Sequence, residues 1–330
     1  MTVTRKSRTV YSNPMRSLCF LLVAALAVGA AIWQSPAAMQ AQGRGYLAYD
    51  PSRAQGWAVR EYLTSIDASL PLWNTAKQKL LDGRQIFSFT IDRLNVELYC
   101  AAAPHFDYVF FEMQHSTMTW GDIETMIAAC PRAGMPMIRL PNEFEDTVQK
   151  ATDIGAVGLL APTVDTVEKA QSVVRYAQFP PLGRRSQGAN QAASIWGVGG
   201  VNYRQSINAN MLIVMMIETP TGAANAYDIA RIPGVDALLV ANGDLGSFSG
   251  FSPGSPNYEA LVTEIHDSAL AAGKFVGAVT AAYARQGGVP GRKDWADYRM
   301  NWNGPSIDGW TPPARDRGGR GANPQSKEAQ

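Results

Sequence analysis

Short runs of apolar, β-branched and aromatic residues alternate along this chain with longer amphipathic stretches. The apolar runs fall at residues 86–91, 108–113, 135–140, 157–161, 212–217, 235–241 and 275–279. Helix-patterned segments lie between most of them, at 96–103, 122–133, 145–154, 166–177, 222–232 and 258–272. Short runs without a polar face, separated by helices, predict strands buried on both sides of a parallel sheet. This succession fits a (β/α)8 TIM barrel better than an open doubly wound sheet, and no Gly-x-Gly-x-x-Gly turn follows the first strand. Residues 298–302 are the one candidate for an eighth strand, so the eighth unit is expected to be irregular or truncated. The barrel is placed at 85–305, with a lead-in at 43–84 packing beneath it through an amphipathic stretch at 70–81. Residues 188–210, rich in Gly, Asn and Ser, read as a long excursion between the fourth and fifth strands, lying over the mouth. Pro, Arg, Gly and Gln dominate the end of the chain, which predicts a disordered tail at 306–330.

The first 42 residues carry a different pattern. Arg5, Lys6, Arg8 and Arg16 precede an apolar run from Leu18 to Ile32, and small residues follow at Ser35, Ala37, Ala38 and Ala41. Basic start, short hydrophobic segment and small-residue region form the layout of a secretory signal, and the run is short for a membrane span. Export to the periplasm or beyond is expected, with an uncleaved N-terminal anchor as the alternative. Export changes how the cysteines read. Cys100 and Cys130 remain in the mature chain, either as one bridge or as two buried thiols. Lys plus Arg number 29 and Asp plus Glu 28, a net charge of +1 that gives no reason to expect nucleic acid or an anionic membrane as partner.

Catalytic groups in a barrel sit at the C-terminal ends of its strands. Reading each strand to its end gives Glu112-Met113-Gln114-His115, Arg139-Leu140-Pro141, Glu218-Thr219-Pro220 and Asn242-Gly243-Asp244, with Arg184, Arg185 and Ser186 after the fourth strand's helix. Glu218 and Asp244 end successive strands, so two carboxylates can share one divalent cation, with Mg²⁺ or Mn²⁺ favoured by oxygen ligands. Each carboxylate alone reads first as a helix cap, and the metal reading gains from the two together. His115 is a candidate base, with Glu112 able to fix its tautomer. Arg139, closing an apolar strand, is either paired in the interior or aimed at an anion in the mouth.

Phe-Phe-Glu-Met-Gln-His, Met-Ile-Arg-Leu-Pro, the run Ala-Thr-Asp-Ile-Gly-Ala-Val-Gly-Leu-Leu-Ala-Pro-Thr-Val at 151–164, Pro-Pro-Leu-Gly-Arg-Arg-Ser, Ile-Glu-Thr and Gly-Asp-Leu occur in that order. Together, over about residues 84 to 280, they resemble the metal-dependent pyruvate aldolases of the HpcH/HpaI aldolase and citrate lyase family. The resemblance implies a carbon–carbon lyase that cleaves a 4-hydroxy-2-oxo acid into pyruvate and an aldehyde. By that resemblance Glu218 and Asp244 hold Mg²⁺, Mn²⁺ or Co²⁺, which chelates the oxo acid and acts as Lewis acid. Arg139 meets the developing negative charge, and His115, oriented by Glu112, transfers the proton. Gln114, Arg184, Ser186, Asn242 and Gly243 are the expected substrate contacts.

The chain also departs from the family. The usual Gln two residues before the metal Glu is Met216, the acid before the catalytic His is Gln114, and the Asp partnering that His has become Glu112. The Gly-Pro before the metal Asp is Ala241-Asn242, and the C-terminal helix exchanged between subunits has no clear counterpart, although a homo-oligomer is still allowed. Two alternatives stand beside the aldolase: an exported binding protein without turnover on the same barrel, and a lyase acting on a CoA ester.

Overall fold

The computed structural model describes residues 72–180, 182–188, 190–196, 201–278 and 297–313. Eight parallel strands close into a barrel in sequence order: β1 Ile86–Ile91, β2 Tyr108–Glu112, β3 Met135–Arg139, β4 Gly158–Ala161, β5 Leu212–Ile217, β6 Ala237–Val240, β7 Phe275–Ala278 and β8 Tyr298–Asn301. β8 pairs with β7 on one side and β1 on the other, so the eighth strand expected near Tyr298 is present and completes the ring. Every residue of β2, β3, β4, β5 and β6 is buried, which is why these strands read as continuous apolar runs rather than alternations.

The surrounding helices are α1 Thr75–Leu81, α2 Val96–Ala102, α3 Trp120–Ala129, α4 Glu145–Asp153, α5 Val167–Ala177, α6 Asn190–Trp196, α7 Val201–Asn210, α8 Pro220–Ala224, α9 Ala226–Ala230, α10 Asn242–Ser249 and α11 Pro256–Ala271. None of the described helices is long and apolar enough to cross a membrane. Local chemistry sets their starts. Thr119 and Asp122 form a reciprocal capping box at α3, while Asn95, Thr166, Thr219 and Ser255 cap α2, α5, α8 and α11 through side-chain oxygens.

The N-terminal face of the barrel is plugged. Helix α1 crosses it, with Lys77 paired to Asp236 just before β6 and Lys79 to Asp107 just before β2, at 2.9 and 2.7 Å. Asn74 donates to the carbonyls of Val157 and Asn210. Residues 43–71 and 1–42, which hold the rest of the lead-in and the signal segment, lie outside the described residues.

Two expectations need correction. The described parts of the 188–210 excursion, α6 and α7, do not lie over the mouth; they pack toward the N-terminal face. There Trp196 donates to the carbonyl of Gly155, ahead of β4, and stacks on Trp73 at 4.6 Å. The reason is topological: the segment leaves the end of helix α5, which has already run back from the mouth, and not the end of strand β4. The tail expected from 306 also starts too early. Residues 304–313 form a non-helical strap against the outside of β1, where the ring of Trp310 lies parallel to His105 at 5.1 Å and edge-on to Phe89 and Phe106. Asp308 accepts from His105 Nδ1 at 2.6 Å, a bond that holds the Asp308 carboxyl below the usual carboxylate range. Residues 314–330 lie outside the described residues.

Cys100 on α2 and Cys130 at the end of α3 form a disulfide, with Cα atoms 5.6 Å apart. Of the two readings the sequence left open, the bridge is the one present.

Candidate active site

The C-terminal rim gathers four candidates from neighbouring strands. Glu112 ends β2 and Arg139 ends β3, in register with each other. Glu218 follows β5, and Asp244 lies in the first turn of α10 after β6, a helix the Gly- and Ser-rich sequence did not announce. Arg139 and Glu218 are buried, at 4% and 2% exposure, so their charges interact through a poorly screened interior.

Arg139 is the hub. Its Nη1 donates to Glu112 Oε2 at 3.0 Å, and its Nη2 lies 3.3 Å from Met216 Sδ and 4.0 Å from Glu218 Oε2. The guanidinium sits over the Trp302 ring at 5.1 Å from its centre. Trp302 in turn is packed on Phe110 at 4.4 Å and donates its Nε1–H to Thr90 Oγ1 at 2.7 Å. The thioether of Met216 thus occupies the side of Arg139 where the family's usual Gln would stand.

Glu218 is held by one oxygen. Its Oε1 accepts from the Thr163 backbone N–H at 2.5 Å and from Thr163 Oγ1 at 2.7 Å. Its Oε2 is buried and has no hydrogen-bond partner among the described residues. Burial pushes the Glu218 carboxyl above the usual carboxylate range, against the Thr163 hydrogen bonds and the Arg139 charge, with Asp244's negative charge adding to the rise. An orphaned, electron-rich oxygen beside a second carboxylate is a fit for a divalent cation. Among the described residues no cluster of three or more His, Cys, Asp or Glu side chains is poised to hold a metal, so the protein would contribute two carboxylates and leave the other positions to water and substrate. That suits a hard cation such as Mg²⁺ or Mn²⁺.

The expected Glu112–imidazole contact is replaced by another. Glu112 Oε1 accepts from the backbone N–H groups of Gln114 and His115, at 2.9 and 3.1 Å, and Oε2 is taken by Arg139. The carboxylate therefore shapes the β2 loop and neutralises Arg139. A carboxylate followed closely by free backbone donors competes for them locally, and that favours this arrangement. His115 itself is exposed at the rim, and it is the one histidine of the three there: His105 belongs to the strap and His266 is buried on α11 between Asp267 and Asp297. Gln114 Oε1 is buried and has no partner among the described residues. Asn242 accepts from the Tyr258 hydroxyl through its backbone and side-chain oxygens, and Gly243 is open to solvent.

Arg184 and Ser186 are not brought to this rim. Gly183 and Arg184 donate to the carbonyls of Phe179 and Arg175 at the end of α5, and a Cβ on Gly183 would collide with the Gln178 and Arg175 carbonyls. Arg184 is paired with Glu145 on α4 and lies over Tyr176, and Ser186 is exposed beyond it. Arg185 is buried between Asp153 and Tyr203, stacked on Phe179. The correction has the same cause as the misplaced excursion: these residues follow a helix, not a strand. In their place the structure adds Thr163, which stands in the 151–164 run without a role assigned to it, and Trp302, the last residue of the candidate eighth strand.

The sequence profile of the HpcH/HpaI aldolase/citrate lyase family matches residues 98–288, more than half of the chain. The chain belongs to this family. A 2-dehydro-3,6-dideoxy-6-sulfogluconate aldolase from Pseudomonas putida is 30% identical over 53% of this chain and 69% of its own length. A 2-keto-3-deoxy-L-rhamnonate aldolase from Salmonella gallinarum is 31% identical over 65% of this chain and 83% of its own length. Among solved structures, an HpcH/HpaI aldolase/citrate lyase family protein from Burkholderia cenocepacia superposes with a TM-score of 0.61 at 27% identity, covering 69% of this chain and 91% of that one. With aldolases as its named relatives and a TIM barrel as its fold, this family member is a carbon–carbon lyase acting on a small molecule.

Proposed function

We propose that the chain is an exported, divalent-metal-dependent aldolase that cleaves 4-hydroxy-2-oxo acids into pyruvate and an aldehyde. The observation that carries the metal dependence is the orphaned Glu218 Oε2 beside Asp244 and within 4.0 Å of Arg139. Glu218 and Asp244 would hold the cation, which when bound supplies Lewis-acid polarisation of the 2-oxo group.

The chain's own groups supply the rest. His115, at the exposed rim, takes the proton from the C4 hydroxyl as the C3–C4 bond breaks. The aldehyde carbonyl forms from that oxygen, and the bonding pair moves toward C2 and its oxygen. Arg139, held by Glu112 and Trp302, faces that oxygen with a fixed positive charge as negative charge develops there. Transfer to C3 of a proton equivalent to the one His115 accepted then completes pyruvate and returns the imidazole to its starting state. Gln114 Oε1, buried without a partner, is positioned to accept from a substrate hydroxyl. Gly243, where an added Cβ would meet nothing within 4 Å, leaves room for the distal half of the substrate.

Export is supported by the basic-apolar-small order of residues 1–42 and by the Cys100–Cys130 bridge, a bond that persists in oxidising compartments. The test is pyruvate release from a panel of 4-hydroxy-2-oxo acids by the full chain, with Mg²⁺, Mn²⁺ or Co²⁺ and with chelator. Cation-dependent pyruvate release that Glu218→Gln abolishes is the expected result. Release unaffected by chelator, or none with any substrate or cation, would overturn the assignment.

A further inference from the structure

The loop after β4 carries a feature that neither the reaction nor the barrel requires. Thr163 has φ of +48°, one of three non-glycine residues in the left-handed region among the described residues. A β-branched side chain is disfavoured there, and such strain persists only where surrounding structure over-determines it. The constraints on Thr163 are specific. Its carbonyl accepts from Lys169 Nζ at 3.2 Å, and Lys169 is paired with Asp165 at 2.9 Å. The next residue's N–H, on Val164, donates to the Met216 carbonyl of β5 at 3.1 Å. With its flanks pinned this way, Thr163 turns both its N–H and its hydroxyl onto the same oxygen, Glu218 Oε1, at 2.5 and 2.7 Å.

We infer that Thr163 is a positioning residue for the cation-holding carboxylate, locking Glu218 so that Oε2 alone is presented to a divalent cation. This rests on the proposed metal role of Glu218. The chemistry follows from valence. A carboxylate with two free oxygens swings between monodentate and bidentate binding and between neighbouring donors. Saturating Oε1 with two donors from one residue removes that freedom, and leaves Oε2 buried and unpartnered. Hydrogen-bonding partners of this kind orient metal ligands, and their removal typically weakens metal binding about 10–100-fold. Both donors are needed. The backbone N–H alone would fix a distance, and the hydroxyl adds the second direction that fixes the carboxylate plane.

The test is Mn²⁺ binding to the full-length protein by isothermal titration calorimetry, with no substrate present and melting temperature measured in parallel. Wild type, Glu218→Gln, Thr163→Val and Thr163→Ser are compared. Valine keeps the branched shape and the backbone N–H but removes the hydroxyl, whereas serine keeps the hydroxyl without the methyl group. Mn²⁺ binding should be lost in Glu218→Gln, weakened on the order of 10–100-fold in Thr163→Val, and restored to within about threefold in Thr163→Ser. Thr163→Val binding Mn²⁺ as wild type does, while Glu218→Gln abolishes binding, would overturn the positioning role and leave the metal site standing. Thr163→Ser binding as weakly as Thr163→Val, with both variants folded, would also overturn it, since the hydroxyl would not be the operative group. Mn²⁺ binding unchanged in Glu218→Gln would overturn the metal role of Glu218 itself, and the inference with it.

Discussion

Arg139 decides whether the rim is a catalytic site or a packed ion network, because both readings use the same contacts. Its bond to Glu112 Oε2 is 3.0 Å and its Nη2 is 4.0 Å from Glu218 Oε2. At 4 Å and an effective dielectric of about 20, one such attraction is worth about 4 kcal/mol before desolvation is counted. Arg139→Met removes the charge and leaves two buried carboxylates facing each other's field, a change expected to cost about 3–5 kcal/mol. For a domain of this size that lowers Tm by roughly 6–20 °C, at about 2–4 °C per kcal/mol. Arg139→Lys behaves differently. It keeps the charge, so Tm should change by only a few degrees, but it loses the planar fork that bonds Glu112 while lying flat over Trp302. If Arg139 meets charge developing on the 2-oxo oxygen, kcat for pyruvate release should fall about 10²–10³-fold with little change in KM, the effect of losing one oxyanion donor. Pyruvate release and thermal unfolding are measured on the same preparations. A lysine variant with wild-type kcat and a depressed Tm would refute the catalytic reading and leave Arg139 as a structural counter-ion.

Three further outcomes are expected. Breaking the Cys100–Cys130 bridge with the double serine variant opens a loop of sequence separation 30, worth about 3.6 kcal/mol by loop-closure entropy, so Tm should fall roughly 7–14 °C, as calorimetry would show. Glu218 binds its proton more readily folded than unfolded, because burial raises its pKa. The metal-free protein should therefore lose stability as pH rises from the ordinary carboxylate range through the raised pKa, and Glu218→Gln should flatten that loss in a Tm-against-pH series while abolishing Mn²⁺ binding. Trp302→Leu removes the aromatic face under Arg139 and should lower kcat more than Trp302→Phe does; equal kcat in the two would show that the ring serves only as volume.

The barrel was legible because its strands are buried on both faces: Leu212 to Ile217 has no polar residue to hide, and its β-branched and long apolar side chains fit no amphipathic helix. Glu112, Arg139, Glu218 and Asp244 were legible because a charged residue at or just beyond the end of such a run has one place to go, the rim. Arg184 and Ser186 were misplaced because a motif gives the order of residues along the chain but not which end of the barrel the chain has reached. Whether a loop follows a strand or a helix settles that. Thr163 and Trp302 lie in segments the sequence marked, the 151–164 run and the candidate eighth strand, but their roles at the site were not legible. The role of Thr163 depends on a left-handed backbone that its β-branched side chain argues against, and Trp302 closes the weakest strand, with an irregular register between Val276 and Gly277. Both act through geometry imposed from a distance in sequence, by Lys169 and β5 for one and by Thr90 and Phe110 for the other.

The two faces of the barrel differ in the kind of polar groups they leave open, and this bears on where the chemistry lies. At the N-terminal face Asn74, Lys77, Lys79, Asp107 and Asp236 are bonded to one another or to backbone groups, and the group left open beside them is Nε1 of the apolar Trp73 ring. At the rim Gln114 Oε1, Arg139 Nε and Glu218 Oε2, from the ends of β2, β3 and β5, are all buried without hydrogen-bond partners among the described residues. An acceptor, a donor and an anionic oxygen left open together cost on the order of 1–3 kcal/mol each. A folded protein tolerates that where something else completes the network. On the proposed function, a cation would answer the Glu218 oxygen, an oxo-acid oxygen the arginine, and a hydroxyl the glutamine amide. A cation-bound 4-hydroxy-2-oxo acid carries those three functions in one small molecule. Stability forgone at the rim would then be recovered on binding: metal and substrate together should raise Tm by more than the sum of their separate shifts, and strict additivity would show that the open groups do not belong to one site.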